Sequence, residues 1–294
     1  MIMKKVLLVC LLIAGMPVLA QYPEGGGPEP AMVYTDSGLS THTIYRPQHM
    51  DGAYPVVLWG NGSCVNSNFS YREFLSEVAS QGFIVLAIGP FRDSPAPRLQ
   101  RPDDPSQWPP FETDASQMLF ALDWISTENR RPGSPFEGHA DIGNVAVMGH
   151  SCGGLQSLVS SSDPRITTTL VLNSGMMPDD GDSYMILHGA RRAMLQELHA
   201  PVAYFIGGET DIAYPNAEVD WQDLQNVDIP VINANMDVGH GATYSQQGGY
   251  PFAEGPIAWL KYQLRGDAEA AAMFVGEQCG LCVSSAWDIK RHNL

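Results

Sequence analysis

The run Val145-Ala146-Val147-Met148-Gly149-His150-Ser151-Cys152-Gly153-Gly154 constrains this chain more than any other stretch. Val145 to Met148 reads as a strand covered on both faces, the chain then breaks into Gly-x-Ser-x-Gly, and Leu155 to Ser161 reads as a helix. Strand, sharp turn and helix in that order lift the middle side chain clear of the sheet edge. The turn holds its serine in a strained conformation, and glycines at 149 and 153 avoid Cβ atoms that would collide with the neighbouring strand and helix. Ser151 is therefore the candidate nucleophile. It needs a histidine and an acid at the same edge to be useful.

At 294 residues with 44% hydrophobic content, the chain has room for one large α/β domain with a buried core. Lys4 and Lys5 precede an apolar run, Val6 to Leu19, which closes on Val18-Leu19-Ala20. That pattern predicts a secretory signal over 1–20, a catalytic domain over 21–266 and a tail over 267–294 packed on the same domain. The apolar run is shorter than the ~20 residues that span a bilayer, so stable membrane insertion is not expected. A secreted or periplasmic location is. The formal net charge is −16, and loss of the signal removes two lysines and no acid. Such a surface repels nucleic acid and anionic headgroups.

Four cysteines follow the signal: Cys64, Cys152, Cys279 and Cys282. No second Cys-x-x-Cys or histidine pair accompanies Cys279-Gly280-Leu281-Cys282, so it reads as a short structural disulfide rather than half a zinc site or a redox pair. Cys64 and Cys152 are read either as bridged or as free buried thiols.

Edge strands are expected within Met32 to Pro47, and a buried strand at Val56 to Trp59. A helix follows with Tyr71, Phe74, Leu75, Val78 and Ala79 on one face, opened by a Ser70–Glu73 capping box, and then a strand from Phe83 to Ile88. This βαβ unit implies a parallel sheet. Gly89 to Pro110 holds seven prolines and reads as a long loop over the carboxyl edge of the sheet. A helix from Asp114, strands at Thr168 to Leu172 and Val202 to Ile206, a last strand at Pro230 to Asn235 and a final helix at Pro256 to Leu264 complete the pattern.

Asp211 follows one of these strands and His240 the next, giving the order Ser151, Asp211, His240, all where strands give out at one edge. In such a site His240 takes the serine proton while Asp211 fixes its tautomer. Glu209, Asp220 and Asp237 are less well placed for the role, and His188 and His199 break the chain order. An oxyanion hole needs two backbone N–H groups, expected from Cys152 and, in the loop Gly60-Asn61-Gly62-Ser63, from Ser63. Asn61 is expected to contact substrate, and His150, which lines the elbow and points the wrong way to act as the base, to contact substrate or structure. The remaining histidines show no metal-ligand spacing, so no metal is expected.

The quoted motifs, with Thr43-Ile44-Tyr45-Arg46-Pro47, Asp163-Pro164-Arg165, Gly207-Gly208-Glu209-Thr210-Asp211 and Gly239-His240-Gly241, resemble the secreted α/β-hydrolase superfamily. Within it they are similar to the cutinase-like, chlorophyllase-like and bacterial polyester-hydrolase branches. The resemblance implies a mostly parallel twisted sheet with helices on both faces, and hydrolysis of small or polymeric carboxylic esters by Ser151, Asp211 and His240 without a cofactor. Polyester hydrolases of this kind carry Met after the nucleophile and an aromatic residue in the oxyanion loop, where this chain has Cys152 and Ser63. That departure argues against a polymer substrate. The alternatives are a serine peptidase or amidase on the same scaffold, and an inactive binding protein.

Overall fold

The computed structural model describes residues 22–97, 111–178 and 189–294. The expected signal over 1–20, residues 98–110 of the proline-rich loop and residues 179–188, with His188, lie outside the described residues. Among the described residues the strands are β1 (Ala31–Tyr34), β2 (His42–Pro47), β3 (Tyr54–Gly60), β4 (Ile84–Ile88), β5 (Ala140–His150), β6 (Thr168–Leu172), β7 (Val202–Ile206), β8 (Val231–Asn235) and β9 (Asp288–His292). They form one sheet in the order β1-β2-β4-β3-β5-β6-β7-β8-β9. From β4 to β8 the neighbours run parallel, and β1, β2 and β9 attach through antiparallel pairs.

Alternation along these strands sends side chains to both faces, which is why the central ones read as continuous apolar runs. Val57, Trp59, Ala146, Met148 and Phe205 pack on one side with α1 (Arg72–Ser80) and a later helix, Glu254–Arg265. Leu58, Leu86 and Val147 pack on the other with α2 (Ser116–Glu128). Farther along that face, Val171, Tyr204 and Ile206 meet α3 (Cys152–Ser160) and α4 (Tyr214–Leu224). This is the α/β-hydrolase architecture. Trp259, on α5 (the Glu254–Arg265 helix), is fully buried and donates its indole N–H to the Thr168 hydroxyl at 2.9 Å. No helix of the described residues is long and apolar enough to cross a membrane.

Two local expectations are corrected. Ser70 lies in a 3₁₀ turn, Phe69–Tyr71, and α1 starts after it without a side-chain cap. Reciprocal capping occurs instead at the entry to α2, where Asp114 donates its N–H to Gln117 Oε1 at 3.1 Å and accepts the Ser116 N–H at 2.8 Å. The strand at 230–235 is also not the last. Asp288 to His292 pairs antiparallel with β8, from Asn235↔Asp288 to Val231↔His292. Its half-exposed, charged sequence suits an edge strand and carries no apolar alternation to reveal it.

Candidate active site

β3, β5, β6, β7 and β8 all end at the same rim, so the loops after Gly60, His150, Leu172, Ile206 and Asn235 converge there. Ser151 sits at φ 53°, ψ −119°, between the end of β5 and the first residue of α3. Its strain is sustained by crowding that only glycine permits. A Cβ on Gly149 would stand 2.3 Å from the Gly153 carbonyl oxygen, and one on Gly153 only 2.1 Å from that of Gly60. The elbow backbone is also tied: Ser151 N–H donates to Leu172 O at 2.9 Å, and the Ser174 hydroxyl to Ser151 O at 2.7 Å.

The structure brings Ser151, His240 and Asp211 together. His240 Nε2 lies 3.1 Å from Ser151 Oγ, and His240 Nδ1 lies 2.6 Å from Asp211 Oδ1. Because a carboxylate only accepts, Nδ1 carries the proton and Nε2 is left to accept from the serine. Asp211 is buried, which by itself raises its pKa. Hydrogen bonds from His240, the Ala213 and Gly207 N–H groups and the Asn173 amide outweigh that and hold it at about 2. The acid is thus fully ionised beside the imidazole. Glu209 and Asp237 are exposed in the surrounding loops, and Asp220 is buried against Tyr204 and Met176.

Cys64 and Cys152 form a disulfide with Cα atoms 5.3 Å apart, and Cys279 and Cys282 form the other. The first joins the residue after Ser63 to the residue after Ser151. Ser63 and Cys64 both have positive φ, 55° and 49°, so the loop turns sharply beside the elbow. Cys152 opens α3, where the first N–H groups of a helix have no intrahelical acceptor.

A cavity of about 450 Å³ opens over Ser151, its walls including Gly62, Ser63, Ser67, Tyr71, His150 and His240. Asn61, expected at the substrate, is not part of it. Its side chain is fully buried, accepts the Trp59 indole N–H at 2.9 Å and donates to Val65 O and Ile88 O. All its polar capacity is spent shaping the loop. Three residues not singled out in the sequence also hold the site: Tyr71, Asn173 and Tyr244. Asn173 carried a signal, since it follows the strand Thr168 to Leu172 at the rim that holds the other candidates. Among the described residues no group of three or more His, Cys, Asp or Glu side chains is disposed to hold a metal ion.

Sheet order, elbow and rim define an α/β-hydrolase. Residues 28–178 match the family model described as PET hydrolase-like. The chain belongs to that family. It is also 30% identical over 174 residues to a chlorophyllase type 0 from Chenopodium album, covering 58% of this chain and 44% of that protein. The chain therefore spans less than half the length of that relative. The family match includes the Gly60–Ser63 loop and Ser151 but ends before Asp211 and His240, so those two rest on the geometry just described.

Proposed function

We propose that this chain hydrolyses carboxylic esters through an acyl-enzyme on Ser151, with His240 as general base and Asp211 orienting it. The observation that carries the reading is the unbroken path from Ser151 Oγ to His240 Nε2 at 3.1 Å and from His240 Nδ1 to Asp211 Oδ1 at 2.6 Å. Ser151 Oγ attacks the ester carbonyl carbon while its proton passes to His240 Nε2. The resulting oxyanion is met by the backbone N–H groups of Cys152 and Ser63. Collapse releases the alcohol, protonated by His240, and leaves the acyl group on Ser151. Water, deprotonated in turn by His240, releases the acid and restores the serine.

The substrate in this reading is a small ester rather than a polymer. The cavity wall around Ser151 includes the small residues Gly62, Ser63, Ser67 and Ala96, and the oxyanion loop brings no aromatic ring at Ser63. Export to an oxidising compartment fits the two disulfides. Hydrolysis of p-nitrophenyl acetate by wild type and Ser151→Ala tests the reading. The variant should lose at least about 10³-fold in kcat and keep its circular dichroism spectrum. Wild-type turnover by the variant would overturn the assignment. A panel of acyl lengths, acetylated sugars and a polyester film then separates small esters from polymers.

A further inference from the structure

The His150 ring lines the cavity beside Ser151, yet both its nitrogens are already engaged. Nε2 lies 2.8 Å from the backbone carbonyl oxygen of His240, and Nδ1 lies 2.8 Å from the Tyr71 hydroxyl. A carbonyl oxygen can only accept, so Nε2 carries the proton. Burial, and after it the neighbouring His240, lowers His150 to about 4, so the ring is neutral near pH 7 and Nδ1 is an acceptor. Tyr71 must then donate its hydroxyl proton to Nδ1. The same hydroxyl oxygen accepts the Gly62 N–H at 3.0 Å. Every role along Gly62, Tyr71, His150 and His240 is thereby forced, and the chain has one polarity.

Packing removes the freedom to rearrange it. A Cβ on Gly62 would stand 2.5 Å from His150 Nδ1 and 2.6 Å from the Tyr71 hydroxyl, so the loop backbone rests directly on the pair. The Tyr71 ring packs on Trp59 and Tyr244 at 5.0 and 5.5 Å between centroids, and the His150 ring on His240 and Tyr244 at 4.9 and 5.0 Å. At one end of the chain is the Asn61–Gly62 peptide unit, one residue ahead of the Ser63 N–H. At the other is the backbone of His240, whose side chain faces Ser151.

We propose that Tyr71 and His150 are a positioning pair that fixes the loop carrying the Ser63 N–H against the loop carrying His240. The distance between oxyanion donor and proton acceptor across Ser151 is then set by two side chains that take no part in the chemistry. This rests on the ester-hydrolase reading of Ser151, and it gives His150 a structural part in the elbow: both ring nitrogens are taken up by Tyr71 and the His240 carbonyl. A shift of one loop by even 1 Å misaligns attack and proton transfer, which costs turnover while leaving ground-state binding nearly intact.

The test is steady-state kinetics on p-nitrophenyl acetate with Tyr71→Phe, His150→Phe, His150→Gln and the Tyr71→Phe/His150→Phe double variant, beside Ser151→Ala. Tyr71→Phe deletes one hydroxyl and should lower kcat by roughly 10- to 100-fold with KM within about twofold. His150→Gln can still donate an amide N–H to the His240 carbonyl and should retain more kcat than His150→Phe. The double variant should lose no more than His150→Phe alone, because the two residues act as one chain. An inactive Ser151→Ala together with wild-type kcat in folded Tyr71→Phe, or equal kcat in His150→Gln and His150→Phe, overturns the pair and leaves the ester-hydrolase reading standing. An active Ser151→Ala overturns that reading first. If Tyr71→Phe does not fold, the two His150 variants decide the question.

Discussion

The Asn173 amide donates to Asp211 Oδ2 at 2.7 Å, and the Tyr244 hydroxyl donates to Asn173 Oδ1, which fixes the direction in which that amide faces. Gly207 N–H is the second donor to Oδ2 at 3.0 Å, and Oδ1 is shared by Ala213 N–H and His240 Nδ1. Asp211 therefore has no rotational freedom, and it presents one oxygen to the imidazole. Asn173 reaches it from φ 46°, a left-handed conformation that asparagine and aspartate tolerate better than most residues.

Asn173→Asp keeps that conformation and the bond from Tyr244 but turns the donor facing Asp211 into an acceptor. Two carboxylates then share one buried site, which raises the affinity of the pair for a shared proton, bound as pH falls and lost as it rises. The expected result is a kcat/KM loss of roughly 10- to 100-fold at pH 8 that shrinks toward pH 5, where the shared proton is present. A pH–rate profile superimposable on wild type would show that Asn173 does not hold the acid.

The two disulfides make unequal predictions. Cys64–Cys152 closes a sequence separation of 88 and joins the loop after β3 to the elbow, whereas Cys279–Cys282 spans 3 residues in the tail. Chain entropy assigns about 4 to 5 kcal/mol to the longer loop and about 2 kcal/mol to the shorter. Cys64→Ala/Cys152→Ala should therefore lower the denaturation midpoint more than Cys279→Ala/Cys282→Ala, and it alone should lower kcat. Denaturant titration and ester turnover on both double variants check this; a larger kcat loss from the tail pair would be the wrong order.

The parts of this site that were legible in the sequence are those encoded locally. Val145 to Gly154 specifies strand, turn and helix by itself, and Asp211 and His240 stand out because each follows an apolar run that can only be a strand. Tyr71 was legible only as an apolar position on a helix face. Its hydroxyl acquires a role from His150, 79 residues away, and no local pattern encodes that contact. Asn61 failed in the opposite way: its place in the loop after a rim strand suggests a substrate contact, but Trp59, Val65 and Ile88 close around it. β9 escaped because an edge strand needs backbone pairing rather than an apolar pattern.

His150 and His42 are both lowered to about 4 by burial. The unfolded chain takes up these protons near 6.5 and the folded chain resists until about 4, so their stabilising effect is complete above pH 6.5 and declines as pH falls toward 4. Each contributes roughly 2 to 3 kcal/mol of pH dependence between pH 7 and 4.5. Asp220, raised to about 7 by burial, works in the opposite sense, so the comparison of variants carries the test rather than the absolute curve. The groups facing His150 are His240, Asp211, Tyr71 and Tyr244, all of which remain in His150→Gln. Urea titrations at pH 7 and 4.5 should show that variant losing roughly 2 to 3 kcal/mol less than wild type over the interval. Equal losses would mean that His150 is not held neutral.

Gly153 and Gly154 are adjacent on α3 and predict different costs for the same added methyl. At Gly153 the Cβ would meet backbone, Gly60 O at 2.1 Å and Asn61 N at 2.8 Å, in a strand end that cannot rotate aside. At Gly154 the nearest atoms are the Ser174 Cβ and Oγ, at 2.5 and 2.8 Å; turning the hydroxyl leaves that Cβ in place, so the loop after β6 that carries Ser174 must give way at the expense of its bond to Ser151 O. Gly153→Ala must therefore push α3 away from the loop after β3, separating Cys152 from Ser63 and straining the contact that the disulfide spans. A loss of about 3 kcal/mol or more, above the usual range for a tolerated overpacking, is expected for Gly153→Ala, against about 1 to 2 kcal/mol for Gly154→Ala. Thermal denaturation orders the two, and turnover per folded molecule should follow the same order, because Gly153→Ala drives α3 directly from the loop that carries Ser63, whereas Gly154→Ala presses on the Ser174 loop.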